Sequence, residues 1–135
     1  MNREIKFRGK RTDTGEWVYG DLLQVIHSYK EKLCSIMEQI PNANNFFVAT
    51  ETVGQFTGLH DKNGREIYEG DVVRFDYPES LKYALSGVVG VDRYNQWYIR
   101  ISPEDKEKYG FRTGEFHIDN AVNRGEVAGN IHDTW

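Results

Sequence analysis

Glu51–Val73, ETVGQFTGLHDKNGREIYEGDVV, places an Asn-Gly pair, a Gly-Asp pair and several β-branched and aromatic positions within 23 residues. Asp61-Lys62-Asn63-Gly64 is its turn, because Asn and Gly both tolerate the left-handed backbone that a tight β-turn needs. Val53–Leu59 on one side and Arg65–Tyr68 on the other then read as extended segments. Glu69-Gly70-Asp71 turns the chain again into Val72–Tyr77, a strand. Asp71, following Gly70, is placed to accept nearby backbone N–H groups at the strand entry. Two turns and three extended segments in so short a stretch point to a β-rich fold.

The same pattern extends outward. In Glu4–Lys10, Ile5 and Phe7 alternate with Lys6, Arg8 and Lys10, the period of a half-buried strand. Thr12–Glu16 is turn chemistry around Gly15, and Trp17–Val25 is a second strand interrupted at Gly20-Asp21. Together they predict a hairpin, with a bulge at Gly20. His27–Asn45 has no clear period; Lys32–Glu38 reads as a strand or one amphipathic turn, and Phe46–Thr50 is again strand-like. Pro78–Ser86 reads as a surface excursion. Gly87–Arg93 and Gln96–Ile101 are strands around Tyr94-Asn95, and Glu115–Ile118 and Glu126–Ile131 close the domain. Ser102–Tyr109 is the one helix: Ser102 caps, Pro103 opens, Glu104 and Asp105 face the positive end, and Gly110 ends it. An echo links Asp13…Gly15…Tyr19-Gly20-Asp21 to Asp61…Gly64…Tyr68…Gly70-Asp71; a duplication and two similar solutions to one β geometry both account for it.

Composition sets the bounds. At 135 residues the chain is two small lobes, divided as 1–59 and 60–135, or one continuous compact domain. Aromatic residues make up 13% and there are 13 glycines against 3 prolines, which favours sheet with many tight turns over a helical bundle. The net charge of −4 argues against a nucleic-acid binder with a uniformly basic surface, though not against a local basic patch. The single cysteine, Cys34, has no internal partner and reads as a small buried hydrophobe in a reducing cytosol. No signal-peptide core and no membrane-length apolar run is present, so the expectation is a soluble, intracellular protein with no membrane partner.

Five constellations could carry function. Asp61, Glu66, Glu69, Asp71 and Asp76 cluster in sequence; a metal or acid–base site would need several to converge, whereas turn capping needs none to. His27, His60, His117 and His132 are dispersed without a ligand pair, His60 beside Asp61 being the one to test. No nucleophile elbow, Cys-His signature or phosphate loop appears, and no cofactor is implied. Lys6, Arg8 and Lys10 form a basic strand face suited to a phosphate backbone or an acidic partner, or else a solvated face that discourages sheet-edge pairing. Tyr94, Trp97, Tyr98, Tyr109, Phe111, Phe116 and Trp135 are a surplus of aromatics; Trp97, Tyr98 and Trp135 are the candidates for an oligomer interface, against a plain core role.

REIKFRGK (Arg3–Lys10), GEWVYGDLL (Gly15–Leu23), the Glu51–Phe75 block, GVVGVD (Gly87–Asp92) and EVAGNIHD (Glu126–Asp133) together resemble the YopX-like family of phage and prophage proteins. The family start often carries a Trp-Asp type pair where Gly9-Lys10 stands here. The resemblance implies a mainly-β protein whose C-terminal half is a small SH3-like barrel, working in a bacterial host cytoplasm. It transfers no catalytic residue. The expectation is therefore a non-enzymatic accessory protein acting through protein–protein contact, with itself or with a host or phage protein. A nucleic-acid-binding barrel is the alternative, and a small enzyme using Asp61, Glu66, Asp71 and His60 the second.

Overall fold

The structure is a computed structural model that describes residues 4–28, 31–39, 41, 43–122 and 124–133, with the side chains of 25–28, 31 and 32 left aside. It is mainly β, with antiparallel sheets and one short α-helix. The chain divides into two compact units, Met1–Phe56 and Thr57–Trp135, a boundary that falls inside one strand.

The first unit contains β1 (Phe7–Lys10), β2 (Trp17–Ser28), β3 (Glu31–Met37), β4 (Asn45–Val48) and the start of β5 (Gly54–His60). β1 pairs with β2, β2 with β3 and β3 with β4, all antiparallel. The sheet then curls until β4 meets the residues just beyond β1. Arg11 bridges Val48, Ala49 N–H donates to the Lys10 carbonyl at 2.8 Å, and Thr12 N–H donates to the Phe47 carbonyl at 3.1 Å. The near end of β1 is taken by β5, with Phe7 opposite Gln55 and Arg8 opposite Gly54. Inside this ring lie Val18, Cys34, Ile36 and Val48, with Phe7 and Leu22 packed against them. Ile36 is fully buried; truncating such a residue to alanine typically costs about 2–5 kcal/mol.

Of the two readings of Lys32–Glu38, the strand is the one formed, as β3: Cys34 and Ile36 point inward while Leu33, Ser35 and Met37 point outward. One expectation is corrected: β2 runs unbroken through Gly20-Asp21, and its register irregularity falls between Ile26 and Ser28 instead. Gly20 is required by close approach. A Cβ there would lie 2.1 Å from the Met37 carbonyl oxygen, on the neighbouring strand.

The second unit carries the rest of β5, β6 (Glu66–Tyr68), β7 (Asp71–Tyr77), β8 (Tyr83–Val91), β9 (Trp97–Ile101), α1 (Pro103–Tyr109), β10 (Glu115–His117) and β11 (Glu126–Asn130). Its main sheet is five antiparallel strands in the order β10-β9-β8-β7-β11. β8 begins at Tyr83, so the supposed excursion Pro78–Ser86 ends in four paired residues, Tyr83 opposite Tyr77 through Ser86 opposite Arg74. The core face holds Val73, Phe75, Leu85, Val89 and Ile99. α1 is built as the sequence predicts: the Ser102 hydroxyl accepts from Asp105 N–H at 3.1 Å, and Gly110 closes the helix with φ 73°.

Two hairpin loops in this unit are copies of one design. In Asp61–Arg65 the Asp61 Oδ1 accepts from Asn63 N–H and Arg65 N–H, both at 2.9 Å. In Asp92–Gln96 the Asp92 Oδ1 accepts from Tyr94 N–H at 2.8 Å and Gln96 N–H at 3.0 Å. The fourth residue is left-handed in each, Gly64 at φ 79° and Asn95 at φ 65°. Of the Asn63-Gly64 pair only Gly64 is left-handed, so Asn63 serves here as a donor to the aspartate.

Candidate interaction face

The basic strand does not form the solvated face expected of it. Arg8 is buried at 6% exposure, and its guanidinium lies 4.5 Å from the centre of the Trp17 ring. Lys10 approaches the same ring at 5.3 Å, and Lys6 lies 5.2 Å from the Phe56 ring while pairing with Glu4 at 3.4 Å. Cations stacked on aromatics gain from the ring quadrupole, most where water is excluded. β1 is also an interior strand, so Lys10 guards no sheet edge. Ile5, expected on the inner face, precedes β1 and is 62% exposed.

The carboxylates act separately and not as one cluster. Asp61 is buried, and besides the two loop N–H groups its Oδ2 accepts from Val127 N–H at 2.8 Å. Burial works to raise this carboxyl, but the N–H groups of Val127, Arg65 and Asn63 and the charge of Arg65 outweigh it and hold the group below its ordinary range. Asp71, also buried, accepts from Tyr68 N–H at 2.7 Å, at the strand entry after Gly70. Glu66 accepts from the Tyr68 hydroxyl at 3.0 Å, and Asp76 is exposed. His60 is exposed and His117 Nδ1 accepts from Asp119 N–H at 3.2 Å. His27 lies in β2, its side chain outside the described set. Among the described residues no three His, Cys, Asp or Glu side chains group as metal ligands would.

Most of the surplus aromatics are spent inside the second unit. Phe116 is buried against Phe75 and Tyr77, Tyr109 stacks on Tyr83 at 4.3 Å, and Phe111 packs edge-on to Phe116. Trp97 packs against the same core, while Tyr98, on the opposite face of β9, lies across Gly90 beside Arg100 and is only partly exposed. Trp135 lies outside the described residues. Tyr94 is exposed, at the tip of the Asp92–Gln96 loop.

One outward-facing group of apolar side chains, on the first unit, was missed by sequence reasoning. Cross-strand register sets Leu23, Ser35 and Phe47 in one row across β2, β3 and β4. Along β3, Leu33 and Met37 flank Ser35 on the same side, and Tyr19 continues the face along β2. Leu23 is 51% exposed, Phe47 62% and Met37 44%, while Ser35 at their centre is only 5% exposed. The polar residues bordering this set in register are Asp21 and Asn45, both opposite Met37, and Arg8, opposite Tyr19. The available signal was in β3, where Leu33 and Met37 put apolar side chains at the parity opposite to that of Cys34 and Ile36.

Matches to known proteins agree with this architecture. A family model described as YopX protein matches residues 6–134. The chain belongs to the YopX family. No curated protein matches it. Among solved structures this YopX protein is similar to the crystal structure of protein EF1440 from Enterococcus faecalis, at 18% identity and a TM-score of 0.53, over 98% of this chain and 96% of that one. At that identity the likeness is one of fold. No described helix of the YopX chain is long and apolar enough to cross a membrane.

Proposed function

We propose that this YopX protein is a non-enzymatic binding module that associates with a second copy of itself through the outer face of β2, β3 and β4. The observation that carries the reading is the exposed apolar group Leu23, Leu33, Met37 and Phe47 around buried Ser35. Contiguous apolar side chains on a folded surface mark contact sites, since leaving them in water costs free energy that association recovers. A second copy suits this face because a two-fold contact sets each residue against its own surface, and the charges bordering it in register, Asp21 and Arg8, are opposite in sign and so do not set the face against its own copy. The non-enzymatic part is supported by Asp61 and Asp71, whose oxygens accept from backbone N–H groups and so serve structure.

The family resemblance supplies the setting: a phage or prophage gene product in a bacterial cytoplasm, accessory to infection or host control. The SH3-like reading of the second unit is supported by its five short antiparallel strands and by the single helix before β10. A nucleic-acid-binding role draws on Lys6 and Lys10 beside Phe56 and Trp17; it requires salt-sensitive binding to DNA or RNA that Lys6→Gln and Lys10→Gln weaken.

Sedimentation equilibrium tests the lead reading. The wild-type chain is expected to dimerise, and Phe47→Glu together with Leu23→Glu to leave a folded monomer. A wild-type monomer at all concentrations, or a dimer indifferent to both substitutions, would refute it.

A further inference from the structure

A cleft of about 280 Å³ opens on the outer side of the second unit's sheet, where β11, β7 and β8 run side by side. Register places Glu126, Arg74 and Ser86 in one row across those strands. Lys62 N–H donates to the Gly125 carbonyl at 3.0 Å, which brings Lys62 beside Arg124 and Glu126. Three cations from three separate segments therefore meet in the cleft, with Asp76 and Glu126 as its two carboxylates. Glu126 is shared: Arg74 lies 3.0 Å from one oxygen and Lys62 3.9 Å from the other. Among the described residues Arg124 has neither an ion-pair nor a hydrogen-bond partner.

We propose that this cleft binds a phosphate monoester of a small molecule, with Arg124 as its principal anchor and Lys62, Arg74 and the Ser86 hydroxyl as further donors. An arginine fork without a carboxylate partner keeps all five N–H donors for an oxyanion, and phosphate accepts such donors bidentately. Donors arriving from three segments suit a tetrahedral anion with acceptors on every side better than a planar carboxylate. The volume lies near the lower end of small-molecule sites and leaves space for a carbon skeleton against Ala84 and the buried edge of Leu85. The flanking Asp76 and Glu126 select a single phosphate, because a polyanion would carry its next charges over those carboxylates.

Calorimetric titration with inorganic phosphate, with adenosine 5′-monophosphate and with a single-stranded oligonucleotide tests this, alongside amide NMR shifts. Saturable binding of phosphate and of the monoester is expected, with shifts at Lys62 and Ser86. Arg124→Gln, an exposed position, should weaken both by about tenfold or more, the usual order for losing a charge-assisted contact. Glu126→Gln removes the competing carboxylate and should tighten them, while Arg93→Gln, on the Asp92–Gln96 loop, should change nothing. Absence of saturable binding at millimolar concentration overturns the proposal, as does an Arg124→Gln chain that binds like wild type. Oligonucleotide affinity that rises with length would replace the small ester by a polyanion and overturn it equally.

Discussion

Asp61 and Val127 are joined by a 2.8 Å hydrogen bond from the Val127 backbone N–H to the Asp61 carboxylate, across 66 residues of sequence. The same carboxylate closes its own hairpin loop, so one buried side chain fixes both a turn and the entry of β11. Asp61→Ala leaves three N–H groups without their acceptor. The expected loss is about 3 kcal/mol, since one orphaned buried donor alone costs about 1–3 kcal/mol. Urea denaturation measures it, and a loss under about 1 kcal/mol would mean that water replaces the carboxylate.

Acid should act through the same group. The folded state holds Asp61 below its ordinary value of 3.8, so the folded chain binds fewer protons than the unfolded one near that pH. Stability from Asp61 is complete above the ordinary value and is lost as pH falls through the lower, folded one. Asp61→Asn should flatten the acid limb of the stability curve below about pH 4, the ordinary aspartate range. An acid limb of unchanged slope in that variant would count against the assignment.

The paired loops predict a substitution that one of them already tolerates. Gly64 has no heavy atom within 4 Å of a would-be Cβ, so its need for glycine is purely conformational. Gly64→Ala should cost about 1 kcal/mol, the usual penalty for a left-handed alanine. Gly64→Asn should cost less than about half of that, because Asn is the non-glycine residue most at ease there and Asn95 occupies the matching position. Equal losses for the two variants, read from thermal melts, would undo the comparison.

Gly20→Ala has a different physical cause and a larger expected effect. Its methyl group would collide with backbone of the neighbouring strand, which cannot rotate away as a side chain can. A loss of about 2 kcal/mol or more is expected, within the range for overpacking. Hydrogen exchange should localise it to the pairing of Asp21 with Met37.

Cys34 is 2% exposed inside the ring of the first unit. Its thiol should react with a water-soluble disulfide reagent only when that unit opens, since reactivity requires an accessible thiolate. Rapid, stoichiometric labelling of the native chain would contradict this burial.

Local chemistry was legible wherever it acts within a few residues. The Asn63-Gly64 turn, the caps Ser102 and Gly110, and the strand alternation of Val72–Tyr77 all operate at short range, and each stands where the sequence places it. Contacts made at a distance were not legible. Nothing near Arg8 shows that Trp17 will cover it, and nothing near Gly20 shows that Met37 will crowd it. β3 reads as strand and as helical turn alike because its outward positions, Leu33 and Met37, are as apolar as its inward ones, which erases the period of two. That erased alternation is itself the mark of the proposed contact face.

β1 gives one flank to β2 and divides the other between β5 and the residues meeting β4. The ladder of the first unit thereby bites its own tail at β1, and that strand keeps little backbone free to recruit a stray chain. The reach of β2 and β3 beyond it is different: among the described residues Asp21–Ser28 pairs on one side only, with β3, so main-chain growth is blocked at the root of this hairpin and open along its arm.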